Sequence, residues 1–321
     1  MVDRVSLADI RAARERIRAT ALRTPLIPWQ GPPGQASIYL KLDNLQPTGS
    51  FKVRGAGNSL AVAIDRGNIP GVYTTSAGNM AQALAWHARR LNLSCTVLVP
   101  DTAPAAKLAG IRRHGAEIIQ LTWDEIWTIM IQGSYEPLRG QLFVPPFNSR
   151  EMIAGNGTAG LEILEDLPEV RTVFVPIGGG GLITGIATAI KALRPEVEVV
   201  ACESEAAAPF TASLRAGKAT EVERKTSFVD GIGARNVLPE MWDRIQGLVD
   251  SSRVLSLEQI AAAVRLCFDR HHVVVEGAGA ASVAAALDAP ASAGPVVAFV
   301  SGGNIDMSKL SVILAGGIPE L

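Results

Sequence analysis

Short apolar runs recur along this chain, and a helix-like stretch separates most of them from the next. The runs are too short for helices and read as strands at 37–42, 72–75, 95–99, 117–121, 142–144, 172–176, 197–202 and 295–300. Between them the spacing predicts helices over 79–91, 103–114, 123–132, 182–193, 205–216, 256–271 and 278–287, with further helix from the Pro145-Pro146 break to Leu167. A first helix over 6–19 has Ser6 and Asp9 as a loose capping box, an apolar face of Leu7, Ile10, Ala13 and Ile17, and Pro25 to close it. Strands that alternate with helices pair in parallel, so the fold class is α/β with mostly parallel sheets covered by helices.

Three strands end in loops of small residues. Ser76-Ala77-Gly78-Asn79 follows 72–75, Gly178-Gly179-Gly180-Gly181 follows 172–176, and Ser301-Gly302-Gly303-Asn304 follows 295–300. Ligands of open parallel sheets sit at the carboxyl ends of strands. The four-glycine loop leads into a helix at Leu182, so its unobstructed amides can cradle an anion at the positive helix end. Taken alone, a glycine loop is more often a tight strand-to-helix turn without a ligand. A nicotinamide nucleotide fits less well, because the first strand–turn–helix lacks Gly-x-Gly-x-x-Gly.

Lys52 lies just inside a predicted helix start, behind Thr48-Gly49-Ser50, where Ser50 is expected to cap the helix. A lysine aimed into a cleft and stripped of water loses charge and becomes an amine nucleophile. Most lysines at such positions are solvated surface charges, so this position alone decides nothing.

The remaining composition narrows the classes. With 321 residues the chain can hold two domains. A net charge of −1 gives no electrostatic case for nucleic acid or an anionic membrane. Cys95, Cys202 and Cys267 are far apart and lack metal-ligand spacing, which fits core thiols in a reducing cytoplasm. The N-terminus, charged at Asp3 and Arg4, is not a signal peptide, and no apolar run is long enough to span a bilayer. His87, His114, His271 and His272 fall on predicted helices and read as surface or helix-end residues.

Taken in order, Ser50-Phe51-Lys52-Val53-Arg54-Gly55-Ala56, Ile153-Ala154-Gly155-Asn156-Gly157-Thr158, the glycine loop, Val274-Val275-Glu276-Gly277-Ala278 and Ser301-Gly302-Gly303-Asn304 resemble the fold-type II family of pyridoxal-phosphate enzymes. The resemblance covers nearly the whole chain. It points to the threonine/serine dehydratase and serine racemase branch, with a tryptophan-synthase-β-like fold. It implies a discontinuous large domain of 1–49 and 146–321 and a small domain of 50–145. A homodimer is implied, and an appended regulatory domain is not expected.

The resemblance also assigns roles. Lys52 is the Schiff-base residue and the base for the substrate α-proton. The loop Gly178, Gly179, Gly180, Gly181 with Leu182 holds the cofactor phosphate, and Phe51 packs beside the ring. Asn79 donates to the ring 3′-oxygen, although the sequence reads it equally well as a helix cap. Ser301 meets the pyridine nitrogen. Ser76, Ala77, Gly78, Asn79 and Met80 clamp the substrate carboxylate. Racemases of this branch carry a second serine where this chain has Ala77, so racemisation lacks a proton donor on one face. Met80 replaces a common histidine.

Glu203 matches one member of a cation site whose partner position falls near Pro209, which has no ligand atom, so no metal is expected. Asn148 and Asn156, where relatives often have Asp and Gln, are expected to alter the polar lining. The apolar stretch 123–131 is either a buried helix face or an enlarged wall for a bulky β-substituent. The implied reaction is α,β-elimination from a β-hydroxy-α-amino acid such as threonine, serine or a 3-phenylserine, yielding a 2-oxo acid and ammonia. Racemisation, β-replacement and non-catalytic binding of a phosphate-bearing ligand are the alternatives.

Overall fold

The computed structural model describes residues 4–31 and 36–320; Asp3 lies outside them. The first half runs α1 (Leu7–Ile17), β1 (Leu26–Pro28), β2 (Ile38–Leu42), α2 (Lys52–Arg66), β3 (Gly71–Thr75), α3 (Asn79–Arg90), β4 (Ser94–Pro100), α4 (Ala105–Arg113), β5 (Glu117–Leu121), α5 (Trp123–Gln132) and β6 (Leu142–Phe143). The second half runs α6 (Arg150–Asp166), β7 (Thr172–Pro176), α7 (Gly181–Leu193), β8 (Glu198–Ser204), α8 (Pro209–Ala216), α9 (Pro239–Ile245), β9 (Ser251–Leu255), α10 (Leu257–His271), α11 (Gly277–Leu287), β10 (Val296–Val300) and α12 (Met307–Leu314).

The strands form two sheets. One has six strands in the order β1-β2-β10-β7-β8-β9, the other four in the order β5-β4-β3-β6. Every pairing is parallel except β1 with β2. In the larger sheet, alternate residues enter different cores. Val173, Val175, Val297 and Phe299 pack against α1, α6 and α7, while Phe174, Val200, Ala298 and Val300 pack against α10 and α11. Both faces are covered, so these strands are apolar throughout.

Four short elements depart from the sequence expectation: helices α9 and α12, and two strands. β1 begins just after Pro25 and ends on Pro28, and β9 opens with Ser251-Ser252-Arg253. Both are edge strands, where a proline or a polar face is tolerated. Helix α1 ends at Ile17, well before Pro25. There the chain turns onto Gln46, whose side-chain amide bonds the Leu22 N–H and C=O, both at 2.9 Å. The Ser6–Asp9 capping box forms as expected.

A buried charge network anchors α2. The Arg54 guanidinium donates to Asp43 at 2.7 and 2.9 Å and to Glu162 at 2.6 and 2.9 Å. Lys41 Nζ reaches Glu162 at 2.7 Å and the Thr24 carbonyl at 2.7 Å. Burial alone would raise the Asp43 carboxyl, but Arg54, Thr24 and Lys41 hold it below its usual range. The network joins β2, α2 and α6, so it fixes the helix that begins with Lys52. Replacing one member strands the others. Arg54→Leu is expected to cost about 3–5 kcal/mol, read as a lower urea midpoint with an unchanged slope; a loss below about 1 kcal/mol would deny the network this role.

Candidate active site

A cavity of about 380 Å³ lies between the two sheets. Thr75, Pro176 and Ser301, at or just beyond the ends of β3, β7 and β10, reach its wall. The three small-residue loops therefore converge as strand polarity requires.

Lys52 enters through a clamp of backbone hydrogen bonds. Phe51 N–H donates to the Ser301 carbonyl at 2.9 Å, Gly303 N–H donates to the Gly49 carbonyl at 2.9 Å, and Ser50 bridges Gly302. Asn304 Nδ2 adds a bond to the Thr48 carbonyl at 2.8 Å. This corrects the expected role of Ser50. Phe51 is the N-cap, the helix has no side-chain cap, and the buried Ser50 hydroxyl has no partner. The turn is rigid because the loop after β10 holds it. Lys52 Nζ donates to the Pro146 carbonyl and sits 5.1 Å from the Phe51 ring centre.

The glycine loop opens α7 with no side-chain cap, so its first amides are available to an anion. Gly180 has φ +91°, a left-handed backbone that suits glycine. A Cβ on Gly181 would lie 2.0 Å from the Phe147 carbonyl oxygen, so the loop can approach that segment only as glycine. Ser301, 2% exposed, lines the cavity, and its hydroxyl has no partner among the described residues. A free buried hydroxyl and an uncapped helix end fit a ligand with a heteroatom and a phosphate.

Asn79 does not cap α3. Gly78 holds the N-cap position, and the Asn79 side chain is committed elsewhere. Its Nδ2 donates to Glu276 Oε1 at 2.8 Å and its Oδ1 accepts from Asn304 at 2.8 Å. Ser76 Oγ accepts from Gly78 N–H at 3.2 Å, which shapes the loop. Ala77, Gly78 and the buried Met80 line the cavity beside it.

Burial pulls the Lys52 amine down to about 8, against an opposing pull from the Glu276 carboxylate. Burial also pushes Glu276 up to about 8, aided by the charge of Asp230 and opposed by the Asn79 amide. The same dry surroundings thus drive both groups toward their neutral forms. Asp230 stays below its usual range despite partial desolvation, because Lys107 and Lys309 lie at 2.7 and 3.3 Å.

Several sequence expectations move. Neither Asn148 nor Asn156 is on the cavity wall: Asn148 donates to Glu240 at 2.9 Å, and Asn156 is buried in α6 against Gly55. His87 is not a surface residue. It is 3% exposed, its Nε2 lies 2.9 Å from the Val53 carbonyl, and burial lowers its pKa to about 4, so it ties α3 to α2 as a neutral donor. Glu203 accepts from Phe210 N–H and Thr211 N–H, both at 2.8 Å, and so caps α8. Among the described residues no cluster of three His, Cys, Asp or Glu side chains could hold a metal.

In helix α5, Ile126 and Ile129 are buried, and Trp123, Ile126 and Met130 line the cavity. Glu276, Phe147, Asp230 and Lys107 were missed as site residues. A lone carboxylate in the apolar run 273–286 was a signal for Glu276. The others carry no local signal.

The comparisons agree with this geometry. Residues 17–302 match the model of the pyridoxal-phosphate dependent enzyme family. The chain is 39% identical to an L-threonine ammonia-lyase of Thermotoga maritima, over 98% of this chain and 79% of that protein. It is 35% identical to a catabolic L-threonine dehydratase of Staphylococcus aureus, over 98% and 93%. A threonine deaminase structure from T.th. superposes with TM-score 0.82 at 34% identity, covering 94% of this chain and 99% of that one. Maize serine racemase superposes with TM-score 0.86 at 31% identity, covering 96% of each.

The chain belongs to the pyridoxal-phosphate dependent enzyme family. Within it, the chain falls in the fold-type II threonine/serine dehydratase branch and is a pyridoxal-phosphate-dependent lyase. No helix among the described residues is long and apolar enough to cross a membrane.

The electrostatics give a pH test. Only the unprotonated amine attacks an aldehyde, and Lys52 loses its proton as pH rises through about 8. The rate at which the apoenzyme takes up pyridoxal phosphate should climb about tenfold per pH unit below that point and then level off. Glu276→Gln removes the carboxylate that holds the amine pKa up, so its midpoint should move to lower pH. An unmoved midpoint would separate the two groups.

Proposed function

We propose that this enzyme is an ammonia-lyase that eliminates the β-hydroxyl of a β-hydroxy-α-amino acid: threonine, serine, or a bulkier 3-phenylserine-type substrate. The observation that carries the reading is the pairing of Lys52, a partly buried amine with its pKa pulled down to about 8, with Ala77, a cavity residue whose side chain has no exchangeable proton. The names of the relatives at 35–39% identity support it.

Pyridoxal phosphate, when bound, withdraws electrons from the substrate and makes its α-proton acidic. The loop 178–182, Asn79, Ser301 and Phe51 would hold it, and Lys52 would join it covalently. Lys52 takes the α-proton. The loop 76–80 seats the substrate carboxylate. With Ala77 in place no proton returns from the opposite side, so loss of the β-hydroxyl competes well against racemisation. The enamine left after elimination hydrolyses to a 2-oxo acid and ammonia.

Trp123, Ile126 and Met130 form an apolar wall that favours a large β-substituent. We place residues 50–145 in a small domain and 1–49 with 146–321 in a large one, the active-site cavity lying between them. A cytoplasmic homodimer completes the reading, supported by three free, buried thiols for the location and by the family resemblance for the assembly.

The test is oxo-acid release from serine, threonine, 3-hydroxyaspartate and 3-phenylserine by the holoenzyme. Threonine and 3-phenylserine should be turned over, and Lys52→Ala should lose at least about 10³-fold. No oxo acid, with an S-substituted amino acid formed when a thiol is added, would instead indicate β-replacement. Ala77→Ser should introduce measurable racemisation of serine; a product of unchanged configuration would remove Ala77 from the substrate face.

A further inference from the structure

A second cavity, of about 820 Å³, adjoins the first. The two share Trp123, Met130, Phe147, Gly179 and Arg224 as common wall. Beyond it the outer chamber is walled by Trp127 and Leu238, with the exposed Asp124, Glu221 and Arg235 also on its lining. The methyl group of threonine needs none of this volume.

Among the described residues, Arg224 is the only charged one on this common wall. The other cations of the inner cavity are engaged: Lys107 pairs with Asp230 at 2.7 Å, and Lys52 bonds the Pro146 carbonyl. Arg224 has neither an acidic partner nor a hydrogen bond among the described residues. Arg224 is exposed and shares this lining with Trp123 and Phe147, so its guanidinium is open to a carboxylate that enters between the cavities. On the outer lining Arg235 is outnumbered by Asp124 and Glu221, so an anionic end is expected to be favoured at Arg224 over the outer chamber.

Building on the elimination reading above, we propose that Arg224 is a specificity-determining residue that selects β-hydroxy-α-amino acids whose extended or aromatic side chain ends in an anionic group.

The holoenzyme can be titrated with phenylalanine and with 4-carboxyphenylalanine, following the absorbance of the bound cofactor. Neither amino acid has a β-leaving group, so the titration reads binding alone. The carboxylated compound should bind about tenfold more tightly. That ratio should fall toward one in Arg224→Gln and be largely kept in Arg224→Lys. Equal affinities in the parent enzyme, no spectral response to 4-carboxyphenylalanine, or a ratio that survives Arg224→Gln would overturn the proposal. Loss of bound cofactor from Arg224→Gln would also overturn it, because it would place the guanidinium on the cofactor phosphate. Failure of the elimination reading would show separately, as no oxo acid from any β-hydroxy amino acid.

Discussion

The constraint on which the site depends is that a primary amine must be kept dry and close to neutrality. Water and a strong counter-ion both favour the ammonium form, and a lysine on a solvated helix end keeps an ordinary pKa. Here burial brings Lys52 down to about 8. The acid whose charge acts on it, Glu276, is itself driven toward its neutral form, so it does not lock Lys52 as an ion pair. Holding the amine in that state requires a helix start that cannot swing into water. The backbone bonds from Phe51 and Gly49 to the 301–303 loop fix the turn. The Arg54 network fixes the first turn of α2 to β2 and α6, and His87 fixes it to α3.

These supports come from distant parts of the chain, and sheet order explains how they meet. β10 lies between β2 and β7, which brings the loop after residue 300 beside both the Lys52 turn and the glycine loop. The smaller sheet contributes the loop after β3. Asn79 on that loop joins Glu276 and Asn304 of the larger sheet unit, so its side chain spans the cleft. The polar groups at the floor are thus bonded to one another, while Ser301 keeps a free hydroxyl toward the cavity.

Much of this was legible in the sequence, and for physical reasons. Interior strands such as 72–75 and 172–176 were read to within a residue because burial on both faces of the sheet makes their runs unbroken. Lys52, the glycine loop and Ser301 all reach the cavity wall, and each could be picked out because its motif is contiguous. Edge strands β1 and β9 were not, since an edge need not be apolar. The side-chain roles given to Ser50 and Asn79 as helix caps failed because a tertiary partner outcompeted the local one. His87 was misplaced because its acceptor, the Val53 carbonyl, lies 34 residues away in sequence. Arg224 and Asp230 sit in irregular chain and carry no periodicity to read.

Everything proposed for the cleft requires that the amine of residue 52 be the one that bonds the cofactor. Borohydride reduction of the holoenzyme, followed by digestion and mass mapping, reads that bond itself. A pyridoxyl-phosphate adduct on Lys52 and on no other lysine is the predicted result. An adduct on a different lysine, or a reduced protein that carries none, would refute the assignment.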